Sequence, residues 1–390
     1  MTEHTNTPEL RFSEFKEEWK LQKLGNLAQF SKGKSLSKKD LNINGNPCIL
    51  YGELYTKYGA ILNKVYSKTS TQNDSLVFSK RNQILIPSSG ETDIDIATAT
   101  AIDTDVKIAI GGDLNIITPI NSDGRFISLY INGKGKYNLA KYAQGKSVVH
   151  LYNSDIKKLN FYLPPNMAEQ KKISDFFSKL DRQIELEEEK LELLEQQKRG
   201  YMQKIFSQEL RIKDEKGNDY PKWIFKKFEE IFKVIPSKKY QIKSSEIEDN
   251  ASIPVIDQGQ NLILGFSNNK EKVFTDFKNV IIYGDHTTVI KRSDKPFIIG
   301  GDGVKLLTSK VDSDISYLYN ALQYFNVKSE GYKRHFSILK NKDFYISTSI
   351  EEQKRIANIF NKLDKYIGKQ FAKVELLKQR KQGLLQKMFV

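Results

Sequence analysis

Across 390 residues there is one cysteine, Cys48, and there are four histidines. A single cysteine closes no intramolecular disulfide and supports no zinc cluster built on cysteines. His4, His150, His286 and His335 lie far apart, without the spacing of metal ligands. No run of roughly eighteen apolar residues occurs, which argues against a membrane span. The opening MTEHTNTPELRF has no apolar core of the kind a secretory signal needs, so a cytoplasmic protein is expected.

Catalytic signatures are missing too. Gly145-Lys146-Ser147 resembles the end of a phosphate-cradling loop, but Ala140 stands where its first glycine belongs. Asn46-Pro47-Cys48-Ile49 lacks the second proline and the aromatic of an amino-methyltransferase loop. Gly111-Gly112-Asp113 lacks the third glycine of a dinucleotide fingerprint. Carboxylates are plentiful, so counting does not exclude a nuclease, yet no acidic cluster with a following lysine stands out. The expectation is a binder with no catalytic residues, no metal site and no cofactor of its own.

What is present is ordinary in apolar content, 39% hydrophobic. That suffices for two or three globular domains in a chain of this length. Sixty-two Lys and Arg against forty-eight Asp and Glu leave +14. Such an excess suits a polyanion partner through counterion release; the alternative is a lysine-rich solvated surface.

The strongest signal is an internal repeat. Residues 169–206 align without a gap to 352–389, and nineteen of the 38 positions are identical. In the first copy Ile173, Phe177, Leu180, Ile184, Leu191, Leu194, Tyr201 and Ile205 step by four and three, with Glu187 and Lys198 in the gaps. The second copy runs Ile356, Phe360, Leu363, Ile367, Val374, Leu377, Leu384 and Met388, with Gln370 and Lys381 in the gaps. This period predicts coiled-coil seams interrupted by polar residues at equivalent places. The first helix carries eight basic and nine acidic residues, the second ten and three. Opposed charge favours pairing between the two helices, and the intervening domain favours an antiparallel pair. The alternative is two independent core helices.

The chain accordingly divides into an N-terminal segment (1–17), a globular unit (18–163), a helix (164–207), a linker (208–220), a second unit (221–346) and a closing helix (347–390). Leu10-Arg11-Phe12 before Trp19 is echoed by Leu210-Arg211-Ile212 before Trp223, so the duplication extends beyond the helices. Short β-branched runs at 82–87, 114–119, 159–164, 252–256, 279–283, 296–300 and 343–347 predict strands. The fold class expected is mixed α/β: two diverged units separated by an antiparallel helix pair with pseudo-twofold symmetry. Two unlike domains at fixed separation suit a bipartite, asymmetric DNA target.

These features resemble the DNA specificity subunit of type I restriction–modification enzymes over essentially the whole chain. The repeated EQKKISDFFSKLD and EQKRIANIFNKLD carry the resemblance most specifically. LRFSEFKEEWKLQKLGN, YPKWIFKKF, IPVIDQGQ, VIIYGDHTTVIK and GYKRHFSILKNKDFYIS add to it. Ser347 departs from the first copy, which has Pro164. The resemblance implies two target recognition domains, each reading half of a split double-stranded DNA site, with the helices as a ruler. It further implies docking of two methyltransferase subunits, which would hold S-adenosylmethionine, and of restriction and translocase subunits in the full complex. Phe176, Leu186, Leu193, Met202, Ile359 and Leu376 lie off the seams and are either fillers against the domains or apolar stripes for partner helices.

Loop residues whose side chains match base edges or phosphates are the DNA-contact candidates. In the first unit these are Lys34, Ser35, Tyr51, Lys57, Ser88, Ser89, Thr92, Lys146 and Ser147. In the second they are Gln258, Gln260, Asn261, His286, Thr287, Thr288, Lys291, Arg292, Lys333, Arg334 and His335. A different class of reading is a cytoplasmic coiled-coil scaffold whose α/β domains bind proteins.

Overall fold

The structure is a computed structural model and describes residues 6–390 except Ser35, residues 72–74 and Tyr332. It forms two compact units, Met1–Glu188 with Ala372–Val390, and Glu189–Phe371.

In the first unit a four-stranded antiparallel sheet runs in the order Ala28–Lys32, Leu114–Pro119, Ile84–Pro87, Thr100–Ala101. Alternate residues of one strand point to opposite faces. Ile84, Ile86 and Ile117 accordingly join the main core, while Leu85, Leu114 and Ile116 enter a second cluster with Ile49 and Ile110. Burial on both faces explains why these strands read as unbroken apolar runs. A second sheet orders Ser67–Thr69, Leu41–Ile49, Ala109–Ile110 and Val77–Phe78.

The second unit repeats the plan. Phe232–Ile235, Val304–Ser309, Ile281–Gly284 and Ile290–Lys291 form its four-stranded sheet. Ile281, Tyr283 and Leu307 face one core, and Ile282, Val304 and Leu306 the other. Gly265–Ser267, Ile253–Ile256 and Ile298–Ile299 make the smaller sheet. In each unit the entering strand pairs with the leaving one: Lys20–Lys23 with Asn160–Leu163, and Ile224–Lys227 with Asp343–Ile346. Chain exit, and hence the start of each long helix, is thereby fixed beside chain entry.

The long helices span Met167–Phe206 and Ile350–Lys387. Asn166 and Ser349 precede them, residue types that satisfy first-turn amides; Asn166 accepts from Ala168 N at 2.9 Å and Ser349 Oγ from Glu352 N at 3.3 Å. The repeated Glu-Gln then latches each helix to its domain. Glu169 accepts from Trp19 Nε1 at 3.2 Å, and Glu352 from Trp223 Nε1 at 2.9 Å. Gln170 Oε1 accepts from Asp123 N, and Gln353 Oε1 from Asp314 N. Arg11 completes Glu169 with two bonds of 2.6 and 2.8 Å. Where Ser347 replaces Pro164, its hydroxyl donates to Glu352 at 2.5 Å, and Arg211 turns instead to Tyr220 O. The substitution therefore relocates a donor.

Antiparallel pairing is visible inside each unit. In the first, Asp181 meets Lys381, and Glu187 meets Lys373 at 2.5 Å, so one helix ascends as the other descends. In the second, Lys198 meets Asp364 at 2.6 Å and Phe206 lies 6.2 Å from Phe360. Asp181–Lys381 and Asp364–Lys198 are the same pair with the helices exchanged, so the ion pairing is duplicated along with the sequence. Polar residues in the seams are thus partnered; Gln370 is buried.

Ile173, Phe177, Leu180, Ile184, Val374 and Met388 are buried in the first unit, with Leu377 and Leu384 packed against its core. Ile205, Ile356 and Phe360 are buried in the second, Leu363 packs on its core, and Leu191, Leu194 and Ile367 are half-buried. Tyr201 departs from the seam and is exposed, while Met202 packs inward, as its counterpart Leu385 does. An α-helix drifts about 20° per heptad against a strict seven-residue repeat. Four heptads separate Ile173 from Tyr201, so the inward face has moved on by nearly one residue. Phe176 likewise packs on the first core, whereas Leu186, Leu193 and Leu376 are exposed and Ile359 is half-buried.

Each core is closed by a phenylalanine at the end of a long helix or just past it: Phe206 is the last residue of the first helix, and Phe389 lies two residues beyond Lys387. Phe389 sits among Trp19, Phe126, Tyr130 and Phe177. Phe206 sits among Trp223, Tyr317, Tyr324, Phe325 and Phe360. The first unit's core is therefore completed by the final residues of the chain.

Candidate nucleic-acid interface

In the second unit three loops converge beyond the strand ends: 257–261 after Ile253–Ile256, 285–289 after Ile281–Gly284, and residues 330, 331 and 333–335 before the leaving strand. His286 N donates to Gln258 Oε1 at 3.1 Å, and Thr287 Oγ1 to Gln258 O at 2.5 Å. Gly303 has φ +85°, which favours glycine, and the Gln258 amide lies 2.7 Å from where a Cβ there would be, so any side chain would also displace Gln258. His286 Nδ1 is 3.0 Å from Lys333 O. Beneath them His335 is fully buried: its Nε2 accepts from Glu330 N at 2.9 Å, and Nδ1 is 3.3 Å from Asp285 O. Asp285 accepts in turn from Phe336 N at 3.0 Å. Thr288 takes a left-handed φ of +59° and its carbonyl accepts from Asn326.

The predicted residues of this unit thus gather into one cluster, in different roles. Gln260, Asn261, Lys333 and Arg334 are exposed at its rim. Arg292 lies over the Tyr319 ring at 5.4 Å, beside a cleft of about 910 Å³ that Gln260 and Lys278 also line. Lys291 and His335 are buried and Gln258 is turned inward, so these three belong to the framework of the loops and not to their solvent face. Sequence gave no warning of this, because burial of a loop histidine or lysine is decided by partners remote in the chain.

In the first unit the predicted residues fall into two groups. Tyr51 and Lys57 flank a cleft of about 600 Å³ whose floor holds Glu53. Glu53 is buried and accepts from Lys57 Nζ at 2.9 Å, Ser67 Oγ at 2.5 Å and Leu50 N at 3.0 Å. Lys34 is exposed nearby, its backbone N tied to Ile110 O; Ser35 lies outside the described residues. The second group joins Ser88, Ser89 and Thr92 to the loop of Lys146 and Ser147. Leu151 N donates to Ser88 O, and Ser89 Oγ is 3.2 Å from His150 Nδ1. Ser88 is buried, Thr92 caps a short helix by accepting from Asp95 N, and Lys146 and Ser147 are exposed.

Beside the predicted residues the fold also places Glu53, His150 and Tyr319, which sequence reading had not proposed as contacts. His150 had been weighed only as a metal ligand; its nearness to 88–92 follows from the ladder Ser89–Gly90 with Val149–His150. Asn42, Ile43 and Asn44, likewise not proposed from sequence, occupy an irregularity between Leu41 and Asn46, with Ile43 86% exposed. The alternation of asparagine with one isoleucine in NINGN was the available signal.

Among the described residues no group of three or more His, Cys, Asp or Glu is placed to hold a metal ion, and no helix is long and apolar enough to cross a membrane. Burial pushes the Cys48 thiol up to about 11, which keeps it protonated and unreactive. What the two units share is an α/β framework with unlike polar, lysine-bearing loops: the class of a duplicated two-unit α/β protein.

Comparison with known proteins gives the family. The model of the type I restriction modification DNA specificity domain matches twice, over residues 16–196 and 220–378, and the chain belongs to that family. It is 33% identical over 93 residues to the EcoR124I/EcoR124II type I restriction enzyme specificity subunit of Escherichia coli; that match spans 23% of this chain and 23% of the relative. The fold is that of the type I restriction–modification S subunit from M. genitalium, with a TM-score of 0.65, 18% identity, and 98% and 99% of the two chains covered. A chain from a study of complex assembly and conformational transition in a type I R-M system aligns at a TM-score of 0.52, with 14% identity and coverage of 95% and 97%.

Proposed function

We propose that this chain is the DNA specificity subunit of a type I restriction–modification complex, each unit reading one half of a bipartite, asymmetric site. The observation that carries this reading is the pairing of a twice-matched framework with two unlike loop clusters. Equivalent frameworks give equivalent placement on DNA; unlike loops give unlike half-sites. Gln260 and Asn261 in the second unit, and Ser147 in the first, have side chains suited to base edges; the Thr92 hydroxyl is instead taken up by Asp95. Lys333, Arg334, Lys34 and Lys146 suit phosphates, consistent with a net charge of +14.

The helices set the spacing of the half-sites and dock two methyltransferase subunits. Exposed Leu186, Leu193 and Leu376 support a helical partner. Adenine methylation, with S-adenosylmethionine, resides on those subunits, cleavage and translocation on further ones, and none of it in this chain. The complex works in the cytoplasm.

Exchange of residues 221–346 for the matching unit of a relative tests the reading. In complex with its methyltransferase the chimera should change one half-site and keep the other and the spacing. Altered readout of both halves contradicts two independent readers, and absence of any DNA dependence returns the scaffold reading.

A further inference from the structure

Lys291 is a buried cation with its partners in one short segment. Its side chain is 4% exposed, and a lysine so placed needs compensation. Nζ donates to Asp257 O at 2.9 Å and to Asn261 O at 2.5 Å, and meets Asp257 Oδ1 at 3.4 Å. Strand pairing of Ile282 with Lys291 holds the Cα. The segment 257–261 therefore curls round a fixed ammonium. Other bonds of the segment act the same way: Gly259 N donates to Asp257 Oδ1 at 3.0 Å, and Thr287 Oγ1 to Gln258 O. What remains outward is Gln260 and Asn261, both exposed.

We propose that Lys291 is a positioning residue for recognition of DNA bases by Gln260 and Asn261, fixing the backbone that carries them and touching no phosphate itself. This rests on the reading of the second unit as a DNA reader. Carbonyls at both ends of a five-residue turn converge on one point, which suits a compact ammonium with three donors; a planar guanidinium cannot point donors at all of them from the same place. Burial draws the Lys291 pKa below the ordinary lysine value, and Asp257 opposes that fall. An ammonium already bonded to two carbonyls and a carboxylate is poorly placed to neutralise a phosphate.

The experiment uses the complex with its methyltransferase, a panel of duplexes varied in each half-site, and affinity measured against salt. Lys291→Met should leave the slope of log affinity against log salt unchanged, keep discrimination at the half-site of the first unit, and lower discrimination at that of the second by about tenfold or more. Lys291→Arg should lose the same discrimination although its charge is kept, and this variant decides the matter whether or not the Met variant folds. A slope reduced by about one in Lys291→Met, with full discrimination kept in Lys291→Arg, overturns the proposal in favour of a phosphate contact. Equal loss at both half-sites, or no loss, overturns it as well. A wild-type complex without preference for any split site would instead sink the underlying reading.

Discussion

Phe389 is the second-last residue of the chain, yet truncating it should destabilise the unit formed mostly by residues 1–188. The side chain is fully buried, with ring centroids 5.0 Å from Phe126, 6.3 Å from Tyr130 and Phe177, and 6.4 Å from Trp19. Truncating a core Phe to Ala costs about 3–5 kcal/mol through lost transfer energy and the cavity left behind. Four aromatic neighbours, each contributing roughly 0.5–1.5 kcal/mol beyond area, place Phe389→Ala in the upper part of that range. About 4 kcal/mol corresponds to nearly a thousandfold rise in opening. Hydrogen exchange resolved by peptide is the suitable assay, because a two-domain chain gives no single unfolding energy. In Phe389→Ala, amides of Gly124–Asn132 and Leu114–Pro119 should lose protection by that factor, while those of Ile281–Gly284 and Val304–Ser309 keep theirs. Phe206→Ala should give the mirror result. Equal loss in both units, or none in the first for Phe389→Ala, would refute the view that each core is closed by the phenylalanine that ends a helix or directly follows it.

Glu169→Ala leaves the Arg11 guanidinium and the Trp19 indole without their acceptor, and should destabilise the first unit by about 3 kcal/mol, read by the same exchange experiment. A double-mutant cycle on Asp181 and Lys381 should show coupling of roughly 1 kcal/mol, and the cycle on Asp364 and Lys198 a similar value; coupling near zero in both would remove the ion pairs from the account of helix pairing. Arg334→Ala should weaken DNA binding across all sequences and lower the salt slope by about one. Burial pushes the Tyr58 hydroxyl up to about 12, against a partial offset from the Tyr66 amide it accepts. A raised folded pKa means its contribution is complete below pH 10 and is lost as pH rises toward 12. Tyrosinate absorbance should therefore show Tyr58 still protonated at pH 11, and a Tyr58→Phe variant should flatten the alkaline fall in stability of the first unit.

The helices were the most legible part of the sequence, because a 4-3 apolar step reports one face directly and the duplication supplied a second copy to check it. Tyr201 shows the limit: a strict heptad ignores helical drift, and only the packed domain reveals that Met202 has taken its place. Strands such as Leu114–Pro119 were readable because both faces are buried. Their order was not, since Lys20–Lys23 pairs with a strand some 140 residues on. At the loops of the second unit, residue type singled out GDHTT and DQGQN, two segments that the fold brings together. It could not separate outward Gln260 from inward Gln258, or exposed Arg334 from buried His335. That division is made by Gly303 beside Gln258, Asp285 beside His335 and Phe336, and Lys291 beside Asp257 and Asn261, pairings remote in the chain that exist only in the folded unit.

The central claim, that two unlike units read two unlike half-sites, is tested most directly by mapping adenine methylation in the host genome with and without this gene. The account predicts loss of one methylated motif composed of two different short sequences separated by a fixed gap. Loss of a continuous or palindromic motif, or no change in methylation with an active methyltransferase partner present, would contradict it.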